Sequence, residues 1–196
     1  MRPMTRAGLL RSSAVAALAA SGAGVLATAA GAATPPDSDF AYARLLIAAD
    51  LLGADFYAQA IAAKAFEDRT TKALKRAAFN EGEHYANVAA VLTAAGQTPA
   101  TADDIDFSYP AKSFADKGAI AKLGVELEQL QLGAYLGAAD AVQTDPLRSI
   151  VTRIAANEAQ HLSMFTSVLE NRPFAISLPL PLTIDDASNM LGAYTS

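Results

Sequence analysis

The sequence predicts an all-α protein in which four long helices form a bundle and a short helix follows them. Alanine and leucine, which are strong helix formers, are abundant, whereas aromatic residues make up only 7% of the chain and strand formers are sparse. Apolar residues also recur at helical spacing in four long segments. The connection predicted between the second and third helices, residues 97–112, is long enough to cross one end of a bundle.

Capping residues and prolines predict where each helix begins and ends. The cap candidates in chain order are Asp37 or Ser38, Gly96, a Ser113–Asp116 variant of the capping box, and Asp145 before Pro146. Pro173 cannot continue the fourth helix. The predicted helices are Asp39–Phe66, Lys72–Ala95, Ser113–Val142 and Pro146–Asn171, with a short last helix starting at Thr183.

The N-terminal segment, residues 1–32, has the features of a secretory signal peptide. Three arginines precede an uncharged, alanine-rich stretch that ends in small residues at cleavage-like spacing. An uncleaved membrane anchor is the alternative, because about 22 uncharged residues just suffice to span a bilayer. We therefore expect an exported protein that is secreted, periplasmic or held at the cell envelope. Residues 33–37 then form a linker, residues 38–172 the bundle, and residues 173–196 a C-terminal extension.

Charge and cysteine content narrow the classes of function. Without the three arginines of residues 1–32, 12 basic residues face 20 acidic ones, which gives a net charge of −8. We expect no nucleic-acid binding from a chain this acidic, and a membrane partner only if the N-terminal segment is retained. The absence of cysteine excludes disulfides and thiolate metal ligands. The oligomeric state is left open.

Both histidines of the chain follow a glutamate by three residues, as Glu81–His84 and Glu158–His161. Only seven residues are glutamate, and about one random chain in 800 of this composition would contain both pairs. On a helix, residues three apart share one face, and here that face is apolar. The sequence therefore predicts that both pairs point into the bundle.

An internal repeat supplies two further carboxylates. The two glutamates of the pairs are 77 residues apart, as are the two histidines. A shift of 78 residues places Asp50 on Glu128 and Tyr57 on Tyr135. Asp50 and Glu128 both lie on apolar stripes, so each half contributes one buried acid and one Glu-x-x-His pair. Three other acids are left out of the site, two as solvent-exposed and the last as ambiguous: Glu83, Glu126 and Asp55.

Four buried carboxylates require a compensating charge, because an unpaired ion in a core costs several kcal/mol. Two divalent cations would neutralise them, and oxygen and imidazole ligands suit iron or manganese, and also zinc. One acid from each of two helices plus Glu-x-x-His from the other two is the ligand set of dimetal carboxylate bundles. A polar network without metal is the alternative. Three tyrosines are either redox-active or ligand-supporting groups, or core residues with satisfied hydroxyls: Tyr57, Tyr85 and Tyr135.

These segments resemble the ferritin-like domain family that includes desiccation-related proteins. The likeness covers residues 38–172 and rests on Asp50–Tyr57, Glu81–His84, Glu128–Tyr135, Glu158–His161 and the segment Leu132–Ala138. It implies a ferritin-like bundle with a di-iron or dimanganese centre. Asp50 departs from the glutamate usual in the first helix, and its shorter arm weakens bridging or favours monodentate coordination. The implied ligands are Asp50, Glu81, His84, Glu128, Glu158 and His161.

Three function hypotheses follow. The first is an exported dimetal oxidoreductase that reacts with oxygen, peroxide or ferrous iron in stress protection. The second is a non-catalytic, stress-protective protein that its metal stabilises. The third is a bundle used only as an interaction module. A ferritin-type storage cage is not expected, because nothing in the sequence indicates the symmetric surface of a shell.

Overall fold

The computed structural model describes residues 35–170 and 177–195, and the predicted signal peptide lies outside them. Four long helices are present: α1 (Asp37–Ala62), α2 (Asp68–Ala94), α3 (Lys117–Ala141) and α4 (Asp145–Glu170). A 3-10 turn, Ala102–Asp104, lies in the crossover between α2 and α3, and a short helix, α5 (Ile184–Gly192), follows the bundle. The predicted all-α bundle with a long crossover and a short C-terminal helix is confirmed.

The bundle consists of two helix pairs. α1 packs along α2, α3 packs along α4, and the pairs meet through α1 against α3 and α2 against α4. α5 packs on α1 and α3 from outside. This extra cover explains why apolar residues surround α1 and α3 on most sides, whereas α2 and α4 are clearly amphipathic. α1 is also the one described helix long and apolar enough to cross a membrane, and 61% of its most apolar window is buried inside the fold.

Two of the predicted helix ends are confirmed by their hydrogen bonds. Gly96 has a positive φ of 74° and follows α2, while the amide of Gln97 bonds to the carbonyl of Leu92. This pattern is a Schellman motif, in which glycine avoids the strain of a Cβ atom. Thr183 precedes α5, and its hydroxyl accepts a hydrogen bond from the amide of Asp186.

The turn between α1 and α2 lies four residues earlier in the chain than predicted. α1 ends at Ala62 rather than Phe66, and Lys64 then adopts a positive φ of 54°. α2 begins at Asp68 rather than Lys72, so Thr70 and Thr71 lie inside its first turn. The Thr71 hydroxyl bonds back to the Phe66 carbonyl, which holds the tight turn closed.

Three other predicted caps are wrong. α1 begins at Asp37 after Pro36, without a side-chain cap. Asp116 alone caps α3 by accepting from the amide of Ala119, because Ser113 instead donates to a carbonyl in its own turn. Asp145 is the first residue of α4 rather than the residue before the helix.

A buried acid closes one end of the bundle. Asp39 is fully buried near the start of α1. Its carboxylate accepts hydrogen bonds from the amides of Gln143 and Thr144, both at 2.9 Å, and from the Thr144 hydroxyl at 2.7 Å. These bonds satisfy backbone donors in the turn between α3 and α4, and they connect the two helix pairs.

Candidate metal centre

The six side chains selected from the sequence lie together inside the bundle. α1 contributes Asp50 and α3 contributes Glu128, and both are completely buried. α2 and α4 each contribute a Glu-x-x-His pair, in which the histidines are 5–6% exposed. Each of these residues lies on the core face of its helix because the flanking residues on that face are apolar. Metal binding by these six residues stays a prediction.

The ligand atoms form two overlapping groups, in each of which all atoms lie within 4.8 Å of one another. The first group, which we call position 1, comprises Asp50, Glu81, His84 and Glu158. The second group, position 2, comprises Glu81, Glu128, Glu158 and His161. Glu81 and Glu158 belong to both, so these two carboxylates connect the positions.

The shared carboxylates present one oxygen to each position. Glu158 Oε1 lies 2.8 Å from His84 Nδ1, while its Oε2 lies 3.1 Å from His161 Nδ1. Glu81 Oε2 lies 3.9 Å from His84 Nδ1, while its Oε1 lies 3.1 Å from His161 Nδ1. Two carboxylates divided in this way could each offer one oxygen to a cation at either position.

Five of these buried polar atoms make no hydrogen bond of regular geometry among the described residues, and four of the five lie only 2.8–3.6 Å from another ligand atom of the cluster. Leaving a buried polar atom unpaired costs about 1–3 kcal/mol, and more if it is charged. Such atoms are rare in folded proteins, so a group of them in one place indicates a missing binding partner. They are Asp50 Oδ2, Glu81 Oε1, His84 Nδ1, Glu128 Oε2 and Glu158 Oε1.

Two tyrosines support the acids contributed by α1 and α3. Tyr135 on α3 donates a 2.7 Å hydrogen bond to Asp50 Oδ1 on α1. Tyr57 on α1 donates in the opposite direction, to Glu128 Oε1 on α3. Both rings are completely buried, and each hydroxyl leaves one carboxylate oxygen free to face the site. Tyr85 takes no part, because its hydroxyl bonds to the carbonyl of Ala100.

Two asparagines contact the far sides of the imidazole rings. His84 Nε2 lies 3.0 Å from Asn157 Oδ1, and the other ring nitrogen, Nδ1, faces the carboxylates. His161 Nε2 lies 3.2 Å from the Asn80 amide nitrogen, and a half-turn of that amide would place its oxygen there. Sequence reasoning missed both residues, although each precedes the glutamate of its motif and they too are 77 apart.

Gln131 is a further buried polar residue that sequence reasoning missed. Its amide nitrogen donates to Glu81 Oε2 at 2.9 Å and to the Ala49 carbonyl at 3.3 Å. Gly53 makes room for this contact, because a Cβ atom there would lie 2.6 Å from Glu81 Oε2 and 2.7 Å from Gln131 Nε2. Gln131 follows Glu128 by three residues on the same helix face, which is the signal that could have identified it.

Burial and mutual repulsion raise the pKa of three of the acids. Burial raises the pKa of Asp50 well above its ordinary value, the Glu81 charge adds to this, and the Tyr135 hydrogen bond partly offsets it. Burial is also the main reason why the pKa of Glu128 is raised well above its ordinary value. The pKa of Glu81 is raised by burial and next by Glu158.

In the two histidines and in Glu158, neighbouring groups of opposite charge stabilise the charged form. Burial alone would lower the pKa of His161, but hydrogen bonds with Glu128, Glu158 and Glu81 outweigh it and raise the pKa to about 12. The pKa of His84 is raised because Glu158 outweighs the effect of burial. Burial alone would raise the pKa of Glu158, but both histidines outweigh it and lower the pKa to about 2. Without metal, the raised pKa of His161 keeps this imidazole protonated at neutral pH, and its charge compensates carboxylate charge in the cluster.

The acids omitted from the site do lie elsewhere. Glu83 and Glu126 are exposed on the outer faces of α2 and α3. Asp55 is half-buried and accepts hydrogen bonds from Tyr109 at 2.8 Å and from Gln59 at 2.7 Å. It supports the crossover rather than the central cluster.

The fold and the cluster together define a class of protein, the carboxylate-histidine four-helix bundles. The pattern of the ferritin-like domain matches residues 38–171, which is more than half of the chain, so the protein belongs to the ferritin-like domain family. The resemblance identified in the sequence is thereby confirmed. No curated protein matches the chain. The buried acidic and histidine clusters are compatible with a dimetal site.

Proposed function

We propose that this protein binds two redox-active metal ions, iron or manganese, at positions 1 and 2. The observation that carries the proposal is the convergence of buried ligand atoms in both positions, several of which make no hydrogen bond of regular geometry. Four carboxylates and two neutral imidazoles would balance two divalent cations, and carboxylate and imidazole ligands suit these metals. Zinc is the competing ion, because it accepts the same ligands.

We further propose that the bound metals react with oxygen, peroxide or ferrous iron. Iron or manganese supplies one-electron oxidation and reduction when bound. Glu81 and Glu158 would bridge, and Asp50 and Glu128 would each use the oxygen that their tyrosine leaves free. All six ligand residues are at most 6% exposed, which favours small reactants over bulky ones.

Metal analysis tests the first part of the proposal. Protein purified and loaded anaerobically should hold about two ions per chain, and the double variant Glu81→Ala/His84→Ala should lose most of them. Glu83→Ala is the matched control, because Glu83 is exposed on the same helix between the two altered positions. A parent protein that binds no iron, manganese or zinc would refute metal binding.

A structural metal is the second candidate, and the deep burial of the ligands favours it. In that case the ions stabilise the bundle by binding only its folded state. Turnover of peroxide or ferrous iron by the loaded protein distinguishes the two. An inactive protein whose melting temperature still rises with metal would favour the structural role.

Export is a separate proposal, supported by the basic, alanine-rich and small-residue pattern of residues 1–32. N-terminal sequencing of the protein from the medium and the envelope fraction would test it. Processing near residue 32 is the expected result, and an unprocessed protein confined to the cell interior would contradict export.

A further inference from the structure

We propose that the two metal positions are inequivalent and fill in order, position 2 first and more tightly. This inference rests on the proposed metal binding. The internal repeat gives the two positions similar ligands, but the residues around them differ. Three differences between the positions support it.

The first difference is the spacing of the ligand atoms. Two atoms that bond one ion at about 2.1 Å lie roughly 3.0–3.5 Å apart. In position 2, His161 Nδ1 lies 3.1 Å from Glu81 Oε1, 3.1 Å from Glu158 Oε2 and 3.6 Å from Glu128 Oε2. In position 1, His84 Nδ1 lies 2.8 Å from Glu158 Oε1 but 3.9 Å from Glu81 Oε2. Position 2 is therefore closer to a preformed site, and preorganisation favours binding.

The second difference is the amide of Gln131. It donates to Glu81 Oε2, the oxygen on the His84 side, whereas Glu81 Oε1 faces His161 Nδ1 at 3.1 Å and receives no amide donor. An N–H donor on Oε2 competes with a cation for the charge of that oxygen. Shifting Gln131 by the repeat of 78 residues gives Gly53, which has no side chain. Glu158 consequently has no equivalent amide donor from α1.

The third difference is the length of the acid. Tyr57 and Tyr135 each occupy one oxygen of their carboxylate, so Asp50 and Glu128 each offer one free oxygen. The arm of Asp50 is shorter by one methylene group. To bind a cation, the ligand atoms of position 1 must therefore move closer together around a shorter and less adaptable side chain. This requirement weakens metal binding at position 1 in addition to the effect of Gln131.

Anaerobic calorimetric titration of the metal-free protein with Mn²⁺ tests the order of filling. The parent should show two steps separated by about tenfold or more in Kd, the size typical of altered ligand support. Asp50→Asn should remove the weaker step and keep the tighter one, whereas Glu128→Gln should remove the tighter step. Two equal steps in the parent, or loss of the tighter step in Asp50→Asn, would overturn the inference.

The variant Gln131→Leu tests Gln131 as a positioning residue. Gln129→Leu is the control, because Gln129 is an exposed glutamine of the same helix. Gln131→Leu should tighten the weaker step and leave the tighter one in place, and Gln129→Leu should change neither. Weakening of both steps by Gln131→Leu in a folded protein would assign the amide a general structural role and contradict our proposal. A parent that binds no Mn²⁺ would instead refute the proposed function itself.

Discussion

Tyr135 and Asp50 form a 2.7 Å hydrogen bond between α3 and α1, and the same bond occurs in reverse between Tyr57 and Glu128. The two tyrosines are related by the internal repeat, as are the two acids. Each half of the chain therefore supplies the hydroxyl that orients the acid of the other half. The cluster depends on both halves packing together, and neither half could form it alone.

Tyr135→Phe should destabilise the metal-free protein more than the metal-loaded protein. The variant leaves Asp50 Oδ1 buried without its donor, at a cost of about 1–3 kcal/mol, and a bound cation would offset that cost. Tyr85→Phe, which removes a hydrogen bond to the Ala100 carbonyl, should cost the same with and without metal. Melting temperatures in both states measure the difference. An equal loss in both states for Tyr135→Phe would contradict the prediction.

Gly53→Ala and Gly82→Ala should have opposite effects on stability. A methyl group at position 53 would meet Glu81 Oε2 at 2.6 Å and Gln131 Nε2 at 2.7 Å, so we expect a loss of roughly 1–3 kcal/mol. Nothing lies within 4 Å of a Cβ atom at position 82, where alanine should gain about 0.5–1 kcal/mol from its helix preference. Urea denaturation compares the two variants, and a stable Gly53→Ala protein would show that Glu81 and Gln131 can move aside.

Sequence reasoning placed the six residues of the cluster together in the interior because two signals coincided. Each lies on an apolar helix face where a charge is out of place, and each has a counterpart in the repeat. Gln131 lacked the second signal, since Gly53 stands at its related position. The asparagines had a repeat signal, but contact with a histidine on another helix depends on how α2 and α4 face each other.

Helix ends were predicted less well because several residues compete for the same capping role. Ser113 and Asp116 are both good caps, and the turn that follows Pro110 decides between them by engaging the serine hydroxyl. Asp39 illustrates the same limit of local reasoning. An acid near a helix start fits the helix dipole, but its partners lie more than 100 residues away in the chain.

Asp39→Ala should cost about 3 kcal/mol, because it removes three hydrogen bonds to a buried carboxylate and leaves two backbone amides unpaired. Asp37→Ala is the control, since Asp37 is exposed in the same helical turn and contributes through the dipole alone, worth less than about 1 kcal/mol. Urea denaturation measures both. Metal content should be unchanged in each variant, and equal effects on stability would show that the Asp39 contacts contribute little.

The stabilisation that metal provides should grow as the pH rises from 6 to 8. The pKa of His161 is raised to about 12 from an ordinary 6.5, so its contribution to metal-free stability is complete below about pH 6.5 and is lost toward pH 12. The raised pKa values of Asp50 and Glu128 also make metal-free stability fall as pH rises above the ordinary carboxylate range. Glu158, with its pKa lowered to about 2, loses its contribution only in strong acid.

Metal ligation requires that imidazoles and carboxylates release protons, so metal affinity rises between pH 6 and 8 as well. The difference between the melting temperatures with and without Mn²⁺ should therefore widen with pH in the parent. In Glu81→Ala/His84→Ala the two melting temperatures should coincide. A difference in the parent that narrows toward pH 8 would contradict this linkage.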